Sequence, residues 1–220
     1  MKNAINLYSV LLVFILSIFC ITTLLAQEEQ IRKDISLIAE RDFKVFLEKI
    51  PIGMETKYGF SNRNEFEKAS IGEPLSILFP ADNFYSTDPI DSSKTNYEIS
   101  TIWEVPILFN GNICCLLRMK AINNNCTIIG IGGSLSALSI DKILKSIGLN
   151  KMKYISLLKF SELQCQYLVT YENSPIYANS KCYKIREQEE SGELMEETLL
   201  NVFVTSKQQI KERKEFDYGK

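Results

Sequence analysis

The residues best placed to do chemistry in this chain run from Gly130 to Ser134, where Gly130, Gly132 and Gly133 flank Ile131 and lead into Ser134. Glycine lets backbone N–H groups approach an anion closely, and a helix starting at such a turn adds a partial positive charge. An anion or ligand turn is one reading of this stretch. The spacing matches neither G-x-x-x-x-G-K-[ST] nor a G-x-G-x-x-G inside a βαβ unit. A tight turn out of a buried strand explains the glycines without a ligand. Ser134 or Ser136 with Lys142 would make a Ser-Lys hydrolase pair, which needs a lysine with its pKa lowered by burial. Lys142 falls on the polar side of a short amphipathic helix, so it stays solvated and the serines read as helix caps.

Histidine is absent from all 220 residues. That removes Ser-His-Asp and Cys-His catalysis, His-ligated zinc and the usual general base near neutral pH. Carboxylate pairs for glycoside hydrolysis could come from Glu187, Glu189, Glu190, Glu193, Glu196 and Glu197. These sit in one dense run, which reads as a solvated face. Trp103, the sole tryptophan, reads as a core residue rather than a sugar platform.

Cys20 lies in the N-terminal apolar run, which leaves Cys114, Cys115, Cys126, Cys165 and Cys182. No C-x-x-C occurs, so no redox motif or zinc ribbon is expected, and no cofactor. Cys114 and Cys115 should point to opposite faces of a strand. Cys114 and Cys126 fall roughly 20 Å apart along the expected ladder, too far to bond. Cys165 and Cys182 flank Asn173-Ser174-Pro175 almost symmetrically and could face each other as a disulfide across a hairpin.

The first residues state an address. Lys2 precedes a mostly apolar run from Leu7 to Ala26, and polarity returns at Gln27-Glu28-Glu29-Gln30. This is the layout of a secretory signal peptide over residues 1–26, cut after Ala26. An uncleaved anchor through residues 7–26 and a lipoprotein acylated at Cys20 are the rivals. Ser9, Ser17, Thr22 and Thr23 make the run less apolar than an anchor, and Ser17-Ile18-Phe19 lacks the small residue that lipidation wants beside the cysteine. Net charge is −2, and no basic face is concentrated enough for nucleic acid. The cluster from Lys207 to Lys214, broken by Glu212, reads as part of a charged C-terminal tail over residues 207–220.

The elements that must hold these residues can be read from periodicity. Ile31, Ile35, Ile38, Phe43, Phe46 and Leu47 mark one face of a helix over 27–50, ended by Pro51. Asn62 or Asn64 caps a short second helix. Leu75–Phe79 is a short strand, followed by a flexible loop over 80–97 in which only Phe84 and Tyr85 argue for order. Residues 98–109 and 113–121 flank Asn110-Gly111-Asn112 as a hairpin. A two-residue loop would set Trp103 opposite Arg118 and Val105 opposite Leu116. The favoured three-residue loop sets Phe109 opposite Ile113, Ile107 opposite Cys115, Val105 opposite Leu117, Trp103 opposite Met119 and Glu104 opposite Arg118. Pro106 cannot donate to a ladder, which suggests a sheet edge or a bulge there. A turn at Asn123-Asn124-Asn125 adds a third antiparallel strand, Cys126–Ile131. Ser139 then caps a helix carrying Ile140, Ile143, Leu144 and Ile147, and Gly148 stops it. Tyr154–Phe160, Gln164–Tyr171 and Lys181–Arg186 read as strands, and Leu194–Val204 as a mixed stretch, more helix than strand. No internal repeat emerges.

The order of helix, Y-G-F, W-x-V-P-I-L and G-I-G-G turn loosely resembles small secreted proteins of bacteria over residues 45–150. That resemblance carries no catalytic residues. The expected fold is α+β: an antiparallel β-meander sheet with flanking helices, in a single domain over 27–206. The expected function is a secreted or periplasmic, non-enzymatic binding protein for a peptide or an envelope protein, contacting it through the 80–97 loop or the Pro106 edge. A hydrolase at the Gly130–Ser134 turn and a membrane-anchored envelope protein are the alternatives. Membrane is a partner only if the N-terminal segment is uncleaved or lipidated.

Overall fold

The computed structural model describes residues 2–85, 97–122, 125–148, 155–171, 180–185 and 195–218. Its first element is α1 (Lys2–Glu48), one unbroken helix across Ala26 and Gln27. Ala26 and Gln27 are exposed, and Glu28 pairs with Arg32 one turn along the same helix. Ile35, Ala39, Phe43 and Leu47 form the buried stripe, with Ile31, Ile38 and Phe46 half-buried beside it. Among the described residues no helix is long and apolar enough to cross a membrane. Within residues 1–25, only the side chains of Leu11 and Leu12 belong to that description.

Two 3₁₀ turns follow, Glu55–Tyr58 and Arg63–Lys68. The second is the short helix expected here. Asn62 caps it by accepting from the Asn64 N–H, and Glu65 Oε2 accepts the Ser61 N–H at 2.7 Å. Gly59 has a φ of +81°, and a Cβ there would lie 2.6 Å from the Cys114 carbonyl oxygen. No side chain fits at that approach.

The first half of the sheet comprises β1 (Ser70–Ile71), β2 (Leu75–Pro80), β3 (Tyr97–Phe109), β4 (Asn112–Ile122) and β5 (Asn125–Gly132). Trp103 pairs with Met119, Glu104 with Arg118, Val105 with Leu117 and Ile107 with Cys115, the expected register. The turn itself is the two-residue Asn110-Gly111, with φ of +51° and +77°, not the expected three-residue loop, so Phe109 pairs with Asn112 rather than Ile113. A bulge between Ile107 and Leu108 reconciles that short turn with the register. Cys114 is the extra residue of the bulge. It therefore joins Cys115 in the same core under α1, instead of pointing to the opposite face.

Pro106 does not mark an edge. It lies inside β3, between β4 and the β1–β2 side, and its carbonyl accepts from Gly72 N–H at 2.8 Å. The chain leaves the ladder between Ile71 and Leu75 opposite Pro106, so the missing N–H costs no pairing.

After β5 come α2 (Ser134–Ser146), β6 (Ile155–Phe160), β7 (Cys165–Thr170), β8 (Lys181–Ile185), β9 (Glu196–Thr198) and α3 (Leu199–Tyr218). The sheet runs β5-β4-β3-β2-β6-β7-β8-β9, antiparallel throughout except for the parallel β2–β6 pair. Thus β2–β5 and β6–β9 are two meanders, each followed by a helix, meeting at their first strands. The topology repeats where the sequence shows no period. A two-fold axis along the strands would exchange the sheet faces, and the helices obey it. α2 covers Leu75, Ile77, Ile155 and Leu157 on one face, whereas α3 covers Leu78, Leu158 and Phe160 on the other. α1 shares the α3 face, over Trp103, Val105, Ile107 and Leu117.

Several expectations change. α2 begins at Ser134, five residues before Ser139, with the left-handed Gly133 (φ +66°) in the cap position. Residues from Lys207 continue α3, with Gln208, Gln209, Lys211, Glu212 and Arg213 exposed and Ile210 buried. Leu199, Val202, Phe203, Ser206 and Ile210 make its buried stripe, and Arg213 donates to Glu162 O at 2.9 Å. The 80–97 segment is structured at its start: Asp82–Tyr85 is a 3₁₀ turn whose Phe84 packs 5.3 Å from Phe203 and 6.1 Å from Phe160. Residues 86–96, the turn at 123–124, the Asn173-Ser174-Pro175 turn and the acidic run at 187–193 lie outside the described residues.

Cys165 and Cys182 are free thiols, not a disulfide. Cys182 pairs with Val169, so Cys165 lies four ladder steps, about 13 Å, from the position opposite it.

Candidate functional site

The structure brings Gly130, Gly132, Gly133 and Ser134 together at the β5–α2 junction, but not as a cradle around a nucleophile. Gly130 and Gly132 pair with Arg118 and Leu116. Gly133 provides the left-handed residue that starts α2. Ser134 Oγ donates to Lys57 O at 2.7 Å. Lys142 is exposed eight residues along α2, about 12 Å away at 1.5 Å per residue. The Ser134–Lys142 pair is therefore not assembled, and Ser136 instead accepts from Gln166 Nε2 at 2.8 Å.

Beside this junction, on the α2 face, lies a charged cluster. Glu104 is buried, and its Oε1 accepts from Lys159 Nζ at 2.9 Å and Arg118 Nη2 at 3.2 Å. Two cations offset the cost of taking one carboxylate out of water. The Glu104–Arg118 half was legible from the hairpin register. Lys159 arrives from the second meander, and no local pattern announces it.

The opposite face holds a second polar group at the seam of the two meanders. Ser76 and Ser156 share a hydrogen bond of 2.6 Å, and Ser156 lies 3.4 Å from the Tyr171 hydroxyl. Burial pushes the Tyr171 phenol above its ordinary pKa. Arg32 on α1 closes the group. It is buried, donates to Pro74 O and to Glu28 Oε1, and lies 5.1 Å from the Trp103 ring centroid. Apart from Trp103, none of these residues stood out in the sequence. The usable signal was Leu75-Ser76-Ile77-Leu78 against Ile155-Ser156-Leu157-Leu158, the same polar interruption in two apolar strands.

The third feature is the outer edge of β5, the end strand of the sheet. Its eight residues, Asn-Cys-Thr-Ile-Ile-Gly-Ile-Gly, include no charge and no proline. Pro106 O accepts from Gly72, so Pro106 points its backbone groups toward the β1–β2 side. Alternation then aims Trp103 and Val105 at β4, and Arg118 and Lys120 at β5. Gly130 and Thr127 answer these, so the N–H and C=O groups of Cys126, Ile128 and Ile131 face outward. A bulge at Ile129 is the one irregularity and leaves that side chain about half exposed.

No protein family, curated protein or solved structure matches the chain. The class is therefore defined by the architecture alone: an α+β protein with a large, open, mostly antiparallel sheet and helices on both faces.

Proposed function

We propose that the chain is an exported, non-enzymatic binding module that takes an extended peptide segment of a partner protein as an additional strand on β5. The observation that carries this is the outward row of backbone groups at Cys126, Ile128 and Ile131 in a strand free of charge and proline. Natural sheets usually block such edges with charges, prolines or a covering element. A long uncharged edge is the geometry of strand addition, in which main-chain hydrogen bonds hold the guest. The half-buried Ile31 and Ile38 of α1 and Ile128 and Ile131 of β5, all packed against the same core, offer apolar surface along one face of that edge. Export rests on the layout of residues 1–26, a lysine, an apolar run and a return to polar residues at Gln27.

An eight-residue peptide of alternating Thr and Val tests the binding mode in three forms: unmodified, and N-methylated at either alternate set of residues. Methylation of the set that faces β5 should abolish binding, while methylation of the other set should be tolerated. Bound peptide should slow amide exchange at Cys126, Ile128 and Ile131. Equal binding of both methylated forms, unchanged exchange in β5, or pairing of β5 with a second copy of the chain would overturn the reading. For export, intact mass of protein from its native host should begin at Gln27. A full-length or acylated mass would replace export with membrane attachment.

A further inference from the structure

Arg118 is more than half exposed on the α2 face of β4 and uses Nη2 on Glu104. It has no other partner among the described residues. Its neighbour across the ladder is Gly130, where a Cβ would meet nothing within 4 Å. Lys120, two residues along β4 on the same face, is exposed opposite Thr127. Glu104 is already shared between Arg118 and Lys159, so this side of the sheet carries three cations around one buried carboxylate. Glu98, the next acidic residue of that face of β3, lies six residues from Glu104.

A strand added outside β5 would lie two strand spacings from β4, about 10 Å. A side chain on β5 would ordinarily fill the space between them. At Gly130 that space is open.

From this we infer that the β5 edge selects an acidic guest: the accepted peptide carries an Asp or Glu beside Gly130, and Arg118 contacts that carboxylate across the glycine. Glu104 holds the guanidinium in place, and Lys120 extends the same preference toward the Asn125 end of β5. The inference rests on strand addition at β5, and it assigns the residues that decide which strand is taken.

The test uses the full chain and the Thr/Val octapeptide with a single Glu, Lys or Ala walked along one face. At one position Glu should bind about fivefold more tightly than Ala, and Lys more weakly. Arg118→Glu should invert that order, with Lys now bound more tightly than Glu. Gly130→Val should bring the Glu, Lys and Ala peptides to equal affinity. Equal binding of the Glu, Lys and Ala peptides at every position would overturn the acidic preference and leave strand addition standing. So would an Arg118→Glu variant that binds all three as the parent does. Failure of every peptide to bind would overturn both.

Discussion

Ser76 and Ser156, 80 residues apart in the chain, meet across the parallel β2–β6 pair with their hydroxyl oxygens 2.6 Å apart. Both are fully buried, and this contact stands where the two meanders join. Ser156 has a second neighbour in Tyr171, so the two serines are not equivalent. Ser76→Ala leaves Ser156 a partner and should cost about 1 kcal/mol. Ser156→Ala leaves both Ser76 and Tyr171 short of one and should cost about 2 kcal/mol. Urea denaturation of the single and double variants measures this, and the double should cost less than the two singles together. Strict additivity would show that the pair does not act as a unit.

Arg32 should matter more than a helix-surface arginine. Arg32→Met removes the donor to Pro74 O and the cation beside Trp103, and should destabilise the fold by about 2 kcal/mol. Trp103 is the sole tryptophan. Its emission intensity should change while the wavelength stays that of a buried indole. An unaltered spectrum and midpoint would remove Arg32 from the seam.

The thiols should separate by burial. Cys126, half-exposed, should react with a thiol reagent in the native state well before Cys115 or Cys182. Burial pushes the Cys182 thiol from 9.0 up to about 12. The folded chain therefore keeps that proton where the unfolded chain has lost it. Stability from this group is intact below about pH 9 and falls as pH climbs toward 12. Cys182→Ser should flatten that alkaline slope, and an unchanged slope would assign it elsewhere.

Glu104→Gln and Arg118→Gln break the same contact from opposite ends. Arg118 is exposed, and its loss should cost less than 1 kcal/mol. Removal of the Glu104 charge leaves Lys159, largely buried, beside a neutral amide and should cost about 2 kcal/mol. Equal costs would mean that Lys159 gains nothing from Glu104.

Local pattern carried much of the fold. The charge match of Glu104 with Arg118 and the sorting of faces found the β3–β4 register, although through a three-residue loop where the chain uses a two-residue turn and a bulge. The α1 stripe and the three strands after α2 followed from apolar spacing. Errors arose where distant chain decided the outcome. Pro106 reads as an edge until β1 supplies a flank with a gap in the right place. The symmetric spacing of Cys165 and Cys182 suggests a bond, but the hairpin is centred two residues later than that spacing implies. Ile210 looks stranded among lysines unless it is read with Val202, Phe203 and Ser206 as one stripe. Lys159, Arg32 and the serine pair depend on how the meanders dock, which no short window contains.

The meeting of the two meanders at a single parallel pair also orders events in time. Each meander closes through connections of sixteen residues or fewer, whereas the β2–β6 register must wait for residues 80 positions apart to find each other. Long-range pairings of this kind form late, because closing the intervening chain costs entropy before any contact repays it. The halves should therefore gain structure before they join. Loss of the serine hydroxyls should then speed unfolding while leaving the folding rate nearly unchanged.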